Sequence, residues 1–254
     1  MFRYRTYQSR FPLLSNSVQV PTGPGDSGWT PLDLNTNTLA WWDSSQGVST
    51  SSSSVTSWID RKSGYNAVQE TGASQPTFSV TSFNGAPGIT SDGTDDFLEI
   101  ETSPFPIDAN PIEIWAVSQN TDIISTTTRI LVSYGATAAT ARRFGRQTGN
   151  TMFITTGTGG GALFAATTDT IPSRHVLNAR IGATTSFVSI DGGTENSVSA
   201  VPATTNTRFR IFASSGSASA NQFWQGVTRH IVITSPLTSG QRTLMLAWAM
   251  SQRN

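Results

Sequence analysis

From residue 39 onward the chain is a series of short runs in which apolar and polar side chains alternate, separated by clusters of Gly, Ser, Asn and Asp. A period of two is the pattern of a strand with one packed face and one wet face. Residues 39–42, 97–100, 112–117, 129–132, 176–181 and 208–212 are such β-like runs, and several carry the alternation. Residues 187–190 lead into Asp191-Gly192-Gly193, a hairpin-turn composition, and Ser197-Val198-Ser199 supplies the returning strand. The serine-rich run 49–54 lies between two strand-like segments and reads as a loop. Only the C-terminal stretch changes period. Thr238 and Gln241 have capping-box spacing, and Leu244, Ala247, Trp248 and Ser251 follow at helical intervals. Many short strands with one terminal helix predict an all-β sandwich or jelly roll with the helix laid against it.

Composition changes the picture in three ways. Charged residues make up 13% of the 254 positions, against roughly 25% in an ordinary soluble domain. Formal net charge is zero, so nothing global points to nucleic acid or to an anionic membrane. There is no cysteine, which excludes disulfides, thiolate catalysis and Cys-ligated zinc. No run approaches the roughly 18 consecutive apolar residues of a membrane-spanning helix.

Residues 1–35 differ from the rest. Phe2, Tyr4, Tyr7 and Phe11 interleave with Arg3, Arg5 and Arg10, and the Pro/Gly-rich stretch 21–28 follows. Aromatic residues and arginine together make an interface composition. An arm and linker over 1–35, an attachment element ordered only against a neighbour, and one domain over 36–254 are expected.

Three segments carry a family resemblance. The first is Leu39-Ala40-Trp41-Trp42-Asp43 with Trp58-Ile59-Asp60-Arg61-Lys62-Ser63-Gly64-Tyr65-Asn66-Ala67. The second is Asn84-Gly85-Ala86-Pro87 with Ser91-Asp92-Gly93-Thr94-Asp95-Asp96-Phe97-Leu98, Ser91 standing where an aromatic residue is usual. The third is Phe223-Trp224-Gln225-Gly226-Val227, leading through Leu237 to Arg242 in the helix. In order and spacing the set resembles the laminin G-like, concanavalin A-like jelly rolls of phage and bacterial surface proteins. The resemblance implies two antiparallel sheets over about residues 39–254, a C-terminal helix and an extended N-terminal arm outside the motif set.

The fold hosts lectins, adhesion domains and hydrolases alike, so function is argued from residues. Glu99 and Glu101 share a strand face, but no third acid completes the E-x-D-x-x-E run of the fold's hydrolases, and a solvent-facing strand edge is expected. Asp92, Asp95 and Asp96 are the densest acidic group. Calcium is the metal they suit, yet Asp-Gly turn chemistry is preferred, and no metal or other cofactor is expected. Arg142, Arg143 and Arg146 could meet an anionic ligand, although a solvated or subunit face is the plainer reading. His175 and His230 have no evident acid partners, so no triad is expected. Trp41 and Trp42 must face opposite sides if extended, which leaves one to be partly exposed.

The expectation is a non-enzymatic phage virion protein on the capsid, tail or fibre, contacting other virion proteins through its arm. A glycan and a second copy of the chain are further partners, and neither nucleic acid nor membrane is expected. The absence of an apolar run after residues 1–7 argues against an export leader and suits a protein released by lysis, or a mature or truncated chain. The location is then a virion surface or an extracellular one. A bacterial extracellular carbohydrate-binding or adhesion module stands second, and a glycoside hydrolase third.

Overall fold

The computed structural model describes residues 28–102, 105, 111–122, 126–135, 141–147, 151–156, 163–168, 173–182, 184–199, 208–215 and 220–254. A 3-10 turn at Pro31–Asn37 opens this part of the chain. Strands β1 (Thr38–Asp43), β2 (Val48–Ser51), β3 (Ser54–Ile59), β4 (Asn66–Val68), β5 (Thr77–Phe83) and β6 (Ala86–Asp92) follow. Next come β7 (Leu98–Ile100), β8 (Ile112–Asn120), β9 (Arg129–Tyr134), β10 (Arg142–Gln147), β11 (Thr151–Thr156) and β12 (Leu163–Thr168). The series closes with β13 (Arg174–Ile181), β14 (Thr185–Ile190), β15 (Asn196–Ser199), β16 (Phe209–Ile211), β17 (Gln225–Thr234) and helix α1 (Ser239–Arg253).

All strand pairings are antiparallel and divide into two sheets. The first runs β15–β14–β13–β8–β17. The far edge of β17 is shared by β6, which pairs with its start, and β1, which pairs with its end; β5 lies beyond β6. The second sheet runs β12–β11–β10–β9–β16–β7–β4–β3–β2. Among the named strands only the bridged pair Ser54 and Thr77 joins one sheet to the other. This is the expected all-β sandwich of antiparallel sheets with a C-terminal helix.

The inward residues of both sheets form one core. Trp42, Ile114, Ala116, Leu177, Ala179, Ile231 and Ile233 come from the first sheet, and Trp58, Leu98, Val132, Tyr134, Phe144, Ile154, Phe209 and Ile211 from the second. Trp42 stacks on Phe209 at 5.3 Å, and Phe105 meets both rings edge-on. Alternation sends the neighbouring residues Trp41, Trp115, Val117, Val176 and Val232 to the outside of the first sheet. There Met245 and Ala249 of α1, Leu34 of the 3-10 turn and Leu237 just ahead of the helix cover them. Neither member of the Trp41–Trp42 pair is therefore exposed, because the outer face is roofed as well. Packing also reaches back to Trp29 and Leu34, ahead of the boundary expected at residue 36.

The helix starts as its sequence indicates: Thr238 Oγ1 accepts from the Gln241 N–H, and the Gln241 side chain returns to the Thr238 N–H at 2.9 Å. Its fully buried residues are Met245 and Ala249; of the expected face, Trp248 packs edge-on against Trp41 and Ser251 is exposed. Arg242 holds the buried Glu113 of β8 with Nε and Nη2, and Glu113 Oε1 also accepts from the Leu237 N–H at 3.0 Å. The serine-rich run is a hairpin rather than a loop: β2 and β3 take all of it but the turn at Ser52 and Ser53. Serine hydroxyls are tolerated on an edge strand with a wet face, so composition misled there.

Candidate functional site

The outer face of the second sheet carries polar residues where that of the first carries tryptophan and valine. Register places Thr155 of β11 beside Arg143 of β10, Arg143 beside Ser133 of β9, Ser133 beside Arg210 of β16, and Arg210 beside Glu99 of β7. Core residues adjoin each of them along its own strand: Ile154, Phe144, Val132 and Tyr134, Phe209 and Ile211, Leu98. The row is therefore dictated by alternation, with arginine and aromatic residues trading places in Arg208-Phe209-Arg210-Ile211.

Glu99 lies between two cations. Its Oε1 is 3.1 Å from Arg208 Nε, and its Oε2 is bound by Arg210 Nε. Glu99 is thus an ion-pair centre rather than a solvent-facing edge, while Glu101 sits exposed past the end of β7. The segment after β16 folds back over the row. Ser133 Oγ donates to the Ala213 carbonyl at 2.6 Å, Arg210 Nη1 donates to the Ser214 carbonyl at 2.8 Å, and Arg143 Nε donates to Ser214 Oγ at 2.8 Å. The Arg210 guanidinium also lies 5.2 Å from the Phe97 ring centroid. Burial lowers the pKa of both Arg143 and Arg210; for Arg210 the Glu99 carboxylate opposes that shift. Such planar, multi-donor groups suit paired hydroxyls or an anionic oxygen pair.

The three arginines singled out from the sequence part company. Arg142 and Arg146 are buried on the core-facing side of β10, the side of Phe144. Arg142 lies 5.9 Å from the Tyr134 ring centroid, and Arg146 Nη1 donates to the Asp122 carbonyl at 2.6 Å. Only Arg143 faces outward, half-buried. The attachment-arm residues Phe2, Arg3, Tyr4, Arg5, Tyr7, Arg10 and Phe11 lie outside the described residues.

Asp92, Asp95 and Asp96 do converge, with one carboxylate oxygen from each within 4.8 Å of the others. Turn chemistry uses them: Asp92 Oδ1 accepts from the Thr94 N–H, Asp96 Oδ2 from the Asp92 N–H, and Asp95 Oδ2 from Ser74 Oγ. Gly93 sits between them at φ +81°, a backbone position that favours glycine. Burial and the two neighbouring aspartates push Asp96 up to about 6. Three carboxylates supply part of the six to eight oxygens that calcium takes.

Both histidines have acid neighbours that the sequence did not reveal. His175 Nδ1 is 2.8 Å from Asp191 Oδ2, and Asp191 also meets Arg253 of α1. His230 Nδ1 accepts from Trp41 Nε1 at 3.4 Å and lies 3.5 Å from Asp43 Oδ1, while Arg61 Nη1 pairs with Asp43 Oδ2 at 2.7 Å. Burial pulls His230 down to about 4 against the pull of Asp43, so it is neutral at neutral pH. These pairs lie between α1 and the first sheet, where they tie the helix and strand ends together. The resemblance motif around Asp60 is likewise structural: Asp60 Oδ1 accepts from the N–H groups of Lys62 and Ser63, and Oδ2 from that of Tyr65.

No protein-family profile matches the sequence, and no curated protein matches it either. Solved structures do match. Trypanosoma rangeli sialidase in complex with sialic acid superposes with a TM-score of 0.58 at 9% identity, over 86% of this chain and 34% of the sialidase. An arabinofuranosidase complexed with arabinofuranosyl-α-1,2-xylobiose superposes with a TM-score of 0.55 at 12% identity, over 78% of this chain and 50% of the enzyme. The match thus spans about a third of the one and half of the other, and identities this low establish the fold alone. The expectation of a non-enzyme is overturned by what these neighbours are, since the sialidase and the arabinofuranosidase are glycoside hydrolases. The missing E-x-D-x-x-E run excludes one placement of carboxylates on one strand, whereas carboxyls can be assembled from separate elements that no linear spacing displays.

Proposed function

We propose that the chain is a carbohydrate-recognising jelly roll, displayed on the exterior of a virus particle, whose sugar-facing surface is the outer side of the second sheet. The observation that supports this most is the cross-strand row Thr155–Arg143–Ser133–Arg210–Glu99, bordered by Arg208: Ser133 and Arg210 are buried and brace it, while Arg143, Glu99 and Arg208 keep part of their surface open. Sugars offer neighbouring hydroxyls that donate and accept together, and guanidinium and carboxylate groups held rigid by ion pairing meet them without a large ordering cost. The opposite outer face is closed by α1 and offers no such surface. The sialidase and arabinofuranosidase structures, with their sugar ligands, support a carbohydrate setting for the fold. The arginine- and aromatic-rich residues 1–11 and the resemblance to phage surface proteins support the placement on a particle.

The test is a glycan array probed with the full chain, with mass spectrometry of the glycans after incubation so that cleavage is also read. Binding weakened about tenfold by Arg208→Ala, with the fold retained, is the expected result. An array with no bound glycan, or binding indifferent to this row, refutes the assignment of the surface. Mass spectrometry of purified particles tests the placement separately.

A further inference from the structure

Charge is unevenly matched along the outer row of the second sheet. Arg208 and Arg210 share Glu99, whereas Arg143, on the far side of the Ala213–Ser214 strap, forms no ion pair among the described residues. Its one recorded hydrogen bond is that of Nε to Ser214 Oγ, which leaves both terminal nitrogens to other acceptors. Burial lowers its pKa, and no neighbouring charge accompanies that effect. Beside it on β11, Thr155 faces the same side, and its buried Oγ1 has no hydrogen-bond partner among the described residues. Ser215 Oγ, at the end of the strap, is also buried without one. A half-buried cation without an anion, flanked by an unused hydroxyl, is an arrangement folding alone does not favour, because buried polar groups ordinarily find partners.

Resting on the carbohydrate reading of this face, we propose that Arg143 and Thr155 form an anion subsite, so that the glycan taken is an acidic one carrying a carboxylate or sulfate. The terminal guanidinium nitrogens of Arg143 present a planar pair of donors to two oxygens of the anion, and Thr155 Oγ1 donates to one of them. Glu99 is already neutralised by Arg208 and Arg210, so it repels the anion weakly. The sugar ring then extends from the anion across the strap toward Glu99 and Arg208, which select its hydroxyls.

The experiment uses matched probes and the full chain. Trigalacturonic acid is compared with its methyl ester, 3′-sialyllactose with lactose, and galactose 6-sulfate with galactose, each by titration calorimetry. Inorganic sulfate is run alone to separate a free anion from one attached to a sugar. Wild type should bind at least one acidic member about tenfold more tightly than its neutral partner and more tightly than sulfate. Arg143→Gln should erase that preference while neutral binding persists, and Arg143→Lys should restore part of it. Arg180→Gln on the first sheet removes the same charge elsewhere and should leave the preference intact. Thermal melts of each variant confirm the fold. Equal binding of acidic and neutral partners by wild type overturns the anion subsite and leaves the carbohydrate reading standing, and so does a preference that survives Arg143→Gln. Binding of sulfate alone as tight as that of the sugars overturns the glycan part of the subsite. If none of the sugars binds and the glycan array is also blank, the carbohydrate reading itself fails.

Discussion

The two outer faces of the sandwich are built on the same alternation and finished in opposite ways. On the first sheet the outward positions are Trp41, Trp115, Val117, Val176 and Val232, and a helix seals them. On the second they are Thr155, Arg143, Ser133, Arg210 and Glu99, with Ser133 and Arg210 buried where the strap of Ala213 and Ser214 crosses them. The sealed face is held by apolar burial, by ion pairs such as Arg242 to Glu113 and Arg61 to Asp43, and by His230 kept neutral beside Trp41 and Trp248. The polar face keeps charges and leaves hydroxyls without partners. What covers an outward face decides which residues it can carry. Stability is concentrated where the roof is apolar, and the capacity to meet a polar ligand where it is not.

The largest effect expected of this contrast comes from removing the roof. Deleting residues 238–254 should expose the tryptophan and valine face, lower the melting temperature sharply and raise binding of a hydrophobic dye; an unchanged melt would break the comparison. Arg242→Ala leaves Glu113 buried with only the Leu237 N–H and should cost about 3 kcal/mol in denaturant unfolding. Protonation acts on the same side. The folded-state pKa of His230, about 4, lies below its unfolded value of 6.5, so the unfolded chain takes the proton first. Stability should therefore fall as pH drops from about 6.5 toward 4, by up to about 3 kcal/mol, with Asp43, Arg61 and Arg229 as the facing charges. The His230→Gln variant should lack that slope.

Asp96 has the opposite sign. Its folded pKa, about 6, exceeds the ordinary 3.8, so the folded chain holds the proton longer and stability should decline as pH rises through that window. Asp96→Asn should flatten this slope, and pH-dependent melts of the two variants separate the overlapping contributions. EDTA should move the melting temperature little; a drop reversed by Ca²⁺ and absent in Asp95→Ala would assign a cation to the aspartates. The smallest change should come from Arg143→Gln, under about 1 kcal/mol, because no ion pair is lost. A cost as large as that of Arg242→Ala would show the polar face to be structural after all.

Local pattern was enough for the strands of the central sheets and for the helix cap, because alternation and capping act over a few residues. Thr238 and Gln241 pair as their spacing implies, and the turn at Asp191-Gly192 joins β14 to β15. What depends on register across the sandwich was not legible. Glu99 meets Arg208 and Arg210, and Arg143 meets Ser214, only because β7, β16, β9 and β10 align, and no linear spacing encodes that alignment. For the same reason one arginine of three came to face outward. The helix face was legible in part: Trp248 packs on Trp41 and His230 as its spacing implies, but the fully buried line is Met245 and Ala249.

The place of β17 carries a consequence for synthesis. Asn37 and Ser235, 198 positions apart, are hydrogen-bonded, and β17 fills the slot between β8 and the edge made by β1 and β6. Until β17 leaves the ribosome, β8 has an open edge and β1 has no strand to pair with. The nascent chain must therefore wait with half-built sheets, and the arrival of β17 is the insertion of a strand into a gap rather than growth at a margin. Contacts this distant make assembly slow. A translation product stopped short of residue 225 would carry two adhesive strand edges into the cell, where the completed chain carries none at that point.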